Sequence, residues 1–101
     1  MIEGVLAAIG NTPLVALRRL ARGVPFQLFA KLEALNPGGS IKDRAALNLL
    51  RGAMRVGALQ ERSVVVASSS GNMGIGLAQV CAYLGLRFIC VVDARTTGQN
   101  I

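Results

Sequence analysis

Apolar positions along this chain follow two rhythms. From Val64 to Ala67, and again from Phe88 to Val92, they run without interruption, as in strands covered on both faces of a parallel sheet. After Ile41 they recur at helical spacing: Ala45, Ala46, Leu49, Leu50, Ala53 and Met54 share one face, and Arg44, Asn48, Arg51 and Arg55 the other. Ser40 stands where an N-cap belongs, Asp43 three residues later makes an acidic variant of the capping box, and Gly57 ends the helix. A second helix is predicted from about Gly71 to Leu84, closed by Gly85. Residues 64–92 therefore read as the strand, loop, helix and strand of a parallel crossover. Nearer the N-terminus, Gly10-Asn11-Thr12-Pro13 signals a turn into an extended Leu14–Leu17, and Phe26 to Glu33 alternates as a strand, with Gly23 and Pro25 in the turn between them. The fold class predicted is α/β. The polar run from Ala94 to Ile101 reads as a loop leading toward another helix, which suggests a piece of a longer enzyme.

Composition narrows the classes. Hydrophobic residues make up 52% of the chain, charged ones 16% and aromatic ones only 4%, so one compact core built from Ala, Val, Leu and Ile is expected. The net charge of +6 would suit an anionic partner, but the arginines are scattered from Arg18 to Arg95 with no stacking aromatics among them. No nucleic-acid partner is expected. No stretch has the length and apolarity of a membrane span, and Met1-Ile2-Glu3-Gly4 does not open a secretory leader, which predicts a cytoplasmic protein with no membrane partner. Cys81 and Cys90 lie in apolar runs and read as free cysteines filling the core. The chain has no histidine. Ser–His and Cys–His catalysis and imidazole-bearing metal centres are thereby excluded within it, and no metal is expected.

Lysine is then the leading chemical candidate. Lys42 is one of two lysines and sits just inside the first predicted helix, behind Asn36-Pro37-Gly38-Gly39-Ser40. A helix N-terminus disfavours a second positive charge, so an amine turned there into a dry pocket is poised as a neutral nucleophile for an aldehyde such as that of pyridoxal 5′-phosphate (PLP). The plainer reading is a solvated lysine in an exposed first turn. Ser68-Ser69-Ser70-Gly71-Asn72-Met73-Gly74 opens the second helix and offers hydroxyls, a carboxamide and free N–H groups to a carboxylate, phosphate or phenolate oxygen. Its plainer reading is helix capping and tight packing. The glycine order is not that of the dinucleotide fingerprint, which leaves nucleotide binding a weak alternative.

Three motifs together, Gly10-Asn11-Thr12-Pro13-Leu14-Val15, Lys31-Leu32-Glu33 with Asn36-Pro37-Gly38-Gly39-Ser40-Ile41-Lys42-Asp43-Arg44, and Ser69-Ser70-Gly71-Asn72-Met73-Gly74-Ile75, resemble the cysteine synthase and cystathionine β-synthase family of PLP enzymes. The resemblance implies the parallel-sheet PLP fold type II, tryptophan-synthase-β-like, of which this chain would be the N-terminal portion. Residues 1–35 would supply strands to the larger domain and residues 36–101 the start of the small, mobile domain. Lys42 would carry PLP and move the substrate's α-proton, Asn72 would bond the cofactor's 3′-oxygen, and Ser69, Ser70, Gly71, Asn72 and Met73 would close on the substrate's α-carboxylate. The implied reaction is β-replacement on an O-activated serine by a protein that is commonly a homodimer and acts on small amino acids. Met73 stands where cysteine synthases usually carry a threonine, and Ala67 where an acidic residue is expected. The wording around Ser68–Asn72 and Phe88–Asp93 looks more like the branch that joins O-phosphoserine to glutamate, giving N-(2-amino-2-carboxyethyl)-L-glutamate for 2,3-diaminopropionate in siderophores or peptide antibiotics. Cysteine synthesis with sulfide is the alternative, and a non-catalytic interaction module is the second. The family's phosphate cup and pyridine-nitrogen partner match no segment of this chain.

Overall fold

The computed structural model describes residues 4–69 and 71–94 of the chain. A 3-10 turn at Val5–Ala8 leads to β1 (Leu14–Ala16), which pairs antiparallel with β2 (Phe29–Lys31), Leu14 lying opposite Lys31. A second 3-10 turn, Glu33–Leu35, delivers the chain to helix α1 (Lys42–Arg55). Then come β3 (Val64–Ser68), helix α2 (Asn72–Leu84) and β4 (Arg87–Val91), with β3 and β4 parallel and in register from Val64 opposite Arg87 to Ser68 opposite Val91. The α/β crossover expected from the two rhythms is present.

Strand β2 is shorter than its alternation predicts. One further bond extends the ladder at each end, from the Leu17 N–H to the Leu28 carbonyl at 2.9 Å and from the Leu32 N–H to the Pro13 carbonyl at 3.0 Å. Beyond these, the bend near Pro25 and the turn at Glu33 carry the chain away. Helix α2 ends as its sequence predicts. Gly85 takes a left-handed φ of 72°, its N–H reaches the Ala82 carbonyl, and the Leu86 N–H returns 2.9 Å to the Cys81 carbonyl, which together make a Schellman closure.

The core lies where α1 crosses α2: Leu6, Ala46, Leu47, Leu50, Leu77, Val80 and Cys81 are buried there. The buried stripe of α1 therefore runs through Asp43, Ala46, Leu47 and Leu50, while Ala45, Leu49 and Met54, predicted to face inward, are exposed. Helical spacing admits both stripes, and contact with α2 selects one. Gly76 sets the closeness of that contact. A Cβ added there would lie 3.1 Å from the Ala46 Cβ and 3.1 Å from the Lys42 carbonyl oxygen, so only a residue without a side chain lets the helices approach at this point.

The β3–β4 pair is covered on one face only among the described residues. Val65, Ala67 and Phe88 pack on the helical core, while Val64, Val66, Ile89 and Val91 are exposed. The two-sided burial predicted for these strands is thus half met. Cys81 is buried as expected, but Cys90 is exposed, a correction to its reading as a core residue. Replacing Gly76 with valine should separate α1 from α2 and lower the stability of the intact protein by about 1–3 kcal/mol, measured by urea denaturation; an unchanged midpoint would contradict the close contact.

Candidate active site

The region ahead of Lys42 is held by a knot of polar side chains. Thr12 and Asn36 are nearly inaccessible, and buried polar groups must find partners. The Thr12 hydroxyl donates to Glu33 Oε2. The Asn36 amide nitrogen donates to Glu33 Oε1 at 3.0 Å and to the Glu33 and Ser40 carbonyls, while its oxygen accepts the Gly10 N–H at 2.8 Å. Arg44 closes the knot: its Nε donates to Glu33 Oε1 at 2.6 Å, and Nη2 reaches Glu33 Oε2 and Thr12 Oγ1. Lys31 pins the Thr12 carbonyl at 2.6 Å. The Gly10–Pro13 turn, the end of β2 and the first turn of α1 are thereby fixed to one another.

Helix α1 begins inside this frame. Ser40 Oγ accepts the Lys42 N–H at 3.1 Å, as its reading as a cap requires. Asp43 does not turn back to Ser40 to complete a capping box; its Oδ2 accepts the Gly38 N–H instead. Lys42 itself is exposed, and its amine has no hydrogen-bond or ion-pair partner among the described residues. The described residues do not form the dry pocket that a neutral amine would need.

At the start of α2, Ser69 Oγ accepts the N–H groups of Gly74 at 3.0 Å and Gly71 at 3.4 Å. With two donors on its oxygen, the hydroxyl proton is left to donate outward. Asn72 occupies the first position of the helix, exposed, with a carboxamide that meets no partner among the described residues. Met73 packs against the core and offers the site no polar group. Ser70 lies outside the described residues. Beneath the loop, the Cys90 thiol donates to the Ser69 carbonyl at 3.1 Å, and a groove of about 340 Å³ opens between α2 and β4, lined in part by Ser69, Gly74, Ile75 and Phe88.

Gly76 brings the two helix starts together. It abuts the Lys42 carbonyl, and Asn72 precedes it by four residues, hence on the same face of α2. A free amine and a free carboxamide thus stand at neighbouring helix N-termini. This donor set fits PLP: an amine for its aldehyde, an amide donor for its phenolic oxygen, and positive helix ends for its anionic groups. The sequence patterns place Thr12, Glu33, Asn36 and Arg44 in a turn, a strand end, a loop and a polar helix face, and do not show that they meet. The signal available was chemical, since a carboxylate, an amide and a guanidinium clustered around two turns need one another if the turns are to pack.

An α/β crossover that presents at adjacent helix starts a lysine and an asparagine without partners among the described residues is compatible with an aldehyde cofactor. The chain belongs to the pyridoxal-phosphate dependent enzyme family, whose pattern matches residues 5–101. It is 47% identical over 99 residues to an N-(2-amino-2-carboxyethyl)-L-glutamate synthase of Cupriavidus metallidurans, a match covering 98% of this chain and 29% of that protein. A cysteine synthase 1 of Emericella nidulans is 46% identical over 88 residues, covering 87% of this chain and 24% of that one. Among solved structures, O-ureido-L-serine synthase superposes with a TM-score of 0.88 at 37% identity, over 99% of this chain and 31% of its own. An O-acetylserine dependent cystathionine β-synthase from Helicobacter pylori gives 0.88 at 32% identity, over 99% and 33%. The chain therefore spans under a third of the length of the curated relatives named here, and the fold is that of PLP fold type II. No helix among the described residues is long and apolar enough to cross a membrane.

The Arg44 hydrogen bond, helped by those of Thr12 and Asn36, holds the Glu33 carboxyl at about 2 instead of the usual 4.5. A lowered folded-state value means that the carboxylate's stabilising effect is whole above pH 4.5 and is lost as the pH falls toward 2. The stability gap between the parent protein and Glu33→Gln should accordingly be widest above pH 4.5 and close on acidification to 2, as followed by denaturation across that range. A gap independent of pH would count against the knot.

Proposed function

We propose that the chain is the N-terminal portion of a PLP-dependent enzyme that performs β-replacement on an O-activated L-serine, with O-phosphoserine and glutamate as the preferred pair and N-(2-amino-2-carboxyethyl)-L-glutamate as the product. The observation that carries this reading is the unpartnered Lys42 amine at the first turn of α1, held beside the start of α2 by the Gly76 contact. PLP, when bound, supplies an electron sink for charge at the substrate's α-carbon. Lys42 would hold it through the amine and move the α-proton, and Asn72 would donate to its 3′-oxygen. Ser69, Ser70, Gly71, Asn72 and Met73 would receive the substrate's carboxylate. Of these, Ser69 has a hydroxyl proton to donate, and the Asn72 and Met73 N–H groups stand in the first turn of α2, where helix geometry gives them no partner.

The similarity to the N-(2-amino-2-carboxyethyl)-L-glutamate synthase of Cupriavidus metallidurans supports this pair of substrates. The turn of Met73 into the core supports it further, because the hydroxyl that cysteine synthases usually place there is missing. Sulfide as nucleophile is the second reading, favoured by the nearly equal likeness to a cysteine synthase. In this proposal residues 1–35 join the larger domain, residues 36–101 begin the smaller mobile one, and the complete protein is a cytoplasmic homodimer.

Borohydride reduction of the complete gene product loaded with PLP should leave a pyridoxyl group on Lys42 in a peptide mass map, and Lys42→Ala should abolish it. An adduct elsewhere, or none, overturns the reading in favour of a non-catalytic module. Assay of the loaded protein with O-phosphoserine and either glutamate or sulfide then separates the two nucleophiles, with glutamate expected to give the faster turnover.

A further inference from the structure

Asp43 has no accessible surface and lies one position after Lys42 in the first turn of α1. Its Oδ2 accepts the Gly38 N–H at 2.5 Å. Its Oδ1 has no hydrogen-bond partner among the described residues. Withdrawing a carboxylate from water and leaving one oxygen unmatched is costly, and the neighbours on the same stripe, Ala46, Leu47 and Leu50, show what packing alone would place there. The carboxylate is also pressed against the chain. A Cβ on Gly38 would come within 2.9 Å of Asp43 Cγ and nearer still to Oδ1, so the Pro37–Ser40 turn is moulded over this side chain. From the other side the same turn is held by Asn36, whose carbonyl accepts the Gly39 N–H at 2.8 Å and whose amide reaches the Ser40 carbonyl. Ser40 in turn holds the Lys42 N–H.

We propose that Asp43 is a positioning residue for Lys42: by gripping the Gly38 amide from beneath, it fixes the direction in which α1 begins and in which the lysine leaves it. The inference rests on the PLP reading of Lys42. Because the amine makes no hydrogen bond or ion pair among the described residues, its direction is set by the backbone that carries it. Two side chains of the first turn of α1 anchor that backbone to the rest of the site, Arg44 through its pair with Glu33, with Arg44 41% exposed, and the fully buried Asp43. The unfilled Oδ1 makes a specific demand. Asparagine can keep the grip, its carbonyl oxygen taking the Gly38 N–H and its nitrogen occupying the place where no bond is lost, whereas alanine cannot.

The test uses the complete gene product, incubated with PLP, quenched with borohydride at timed intervals and mapped for the pyridoxyl group on Lys42, with thermal melting in parallel. At equal folded fraction, Asp43→Ala should form the adduct about tenfold more slowly, Asp43→Asn should stay within about threefold of the parent, and Gly38→Ala, which displaces the turn with Asp43 intact, should resemble Asp43→Ala. Should Asp43→Ala fail to fold, the Gly38→Ala and Asp43→Asn proteins decide. Parental rates in Gly38→Ala or in folded Asp43→Ala overturn the proposal, as does an Asp43→Asn protein as slow as the alanine variant. A parent that forms no adduct overturns the cofactor reading and this inference with it, whereas a parental adduct with unaltered variants overturns this inference alone.

Discussion

One carboxylate joins the parts of this site. Glu33 accepts hydrogen bonds from Thr12, Asn36 and Arg44, three residues from three separate stretches of chain. A carboxylate has about four acceptor positions, and here its neighbours are so placed that removing it would strand several donors at once. Thr12, nearly inaccessible, would lose the acceptor of its hydroxyl, whereas Asn36 would keep the Glu33 and Ser40 carbonyls. The Gly10–Pro13 turn, the 3-10 turn at Glu33 and the first turn of α1 are therefore mutually dependent, and the position of Lys42 follows from all three.

A second constraint, the absence of a side chain at Gly76, decides what Lys42 stands beside. Since α2 touches the Lys42 carbonyl there, the residues one turn earlier on α2 come to the same corner. The capping of α2 by Ser69 then determines which groups remain available. The helix consumes the lone pairs of the Ser69 oxygen and leaves its proton, while Asn72 keeps its whole carboxamide. The corner thus offers donors, which suits a ligand rich in oxyanions and gives the dispersed positive charge of the chain a local counterpart in helix ends and amides.

Much of this arrangement was legible in the sequence, and the exceptions share a cause. The uninterrupted runs at 64–67 and 88–92 identified β3 and β4, Gly85 identified the end of α2, and Ser40 and Gly71 marked the two helix starts at which Lys42 and Asn72 stand. Helical periodicity could not say which of two adjacent apolar stripes of α1 is buried, because only the partner helix distinguishes Leu47 from Leu49. Alternation over Phe26–Glu33 could not show that Glu33 leaves the strand, because its carboxylate is drawn to Arg44, eleven residues away. Asp43 was misassigned by the same kind of rule. Its spacing from Ser40 fits a capping box, but its carboxylate takes the Gly38 amide instead. Cys90 read as core because its run is apolar; it does lie on the face toward α2, beside Gly74 and Ser69, but the groove between α2 and β4 leaves it exposed.

The exposure of Lys42 bears on how such a site could work. An ammonium in water is held charged by its solvation, and a helix N-terminus in water weakens that preference only modestly. The same amine becomes a ready nucleophile when solvent is expelled and the adjoining dipoles act across a lower dielectric. Residues 4–94 supply the orientation, through the Glu33 knot and the Gly38–Asp43 grip, and the donors, through the start of α2, but leave the amine wet. Under the proposed function, position and reactivity are therefore supplied by different parts of the enzyme. This portion fixes where the amine points, and closure of protein over the corner would decide when it reacts. Such a division suits an enzyme whose reaction must begin only after the substrate's carboxylate has been received, because the loop that receives it is built on the helix that touches the lysine.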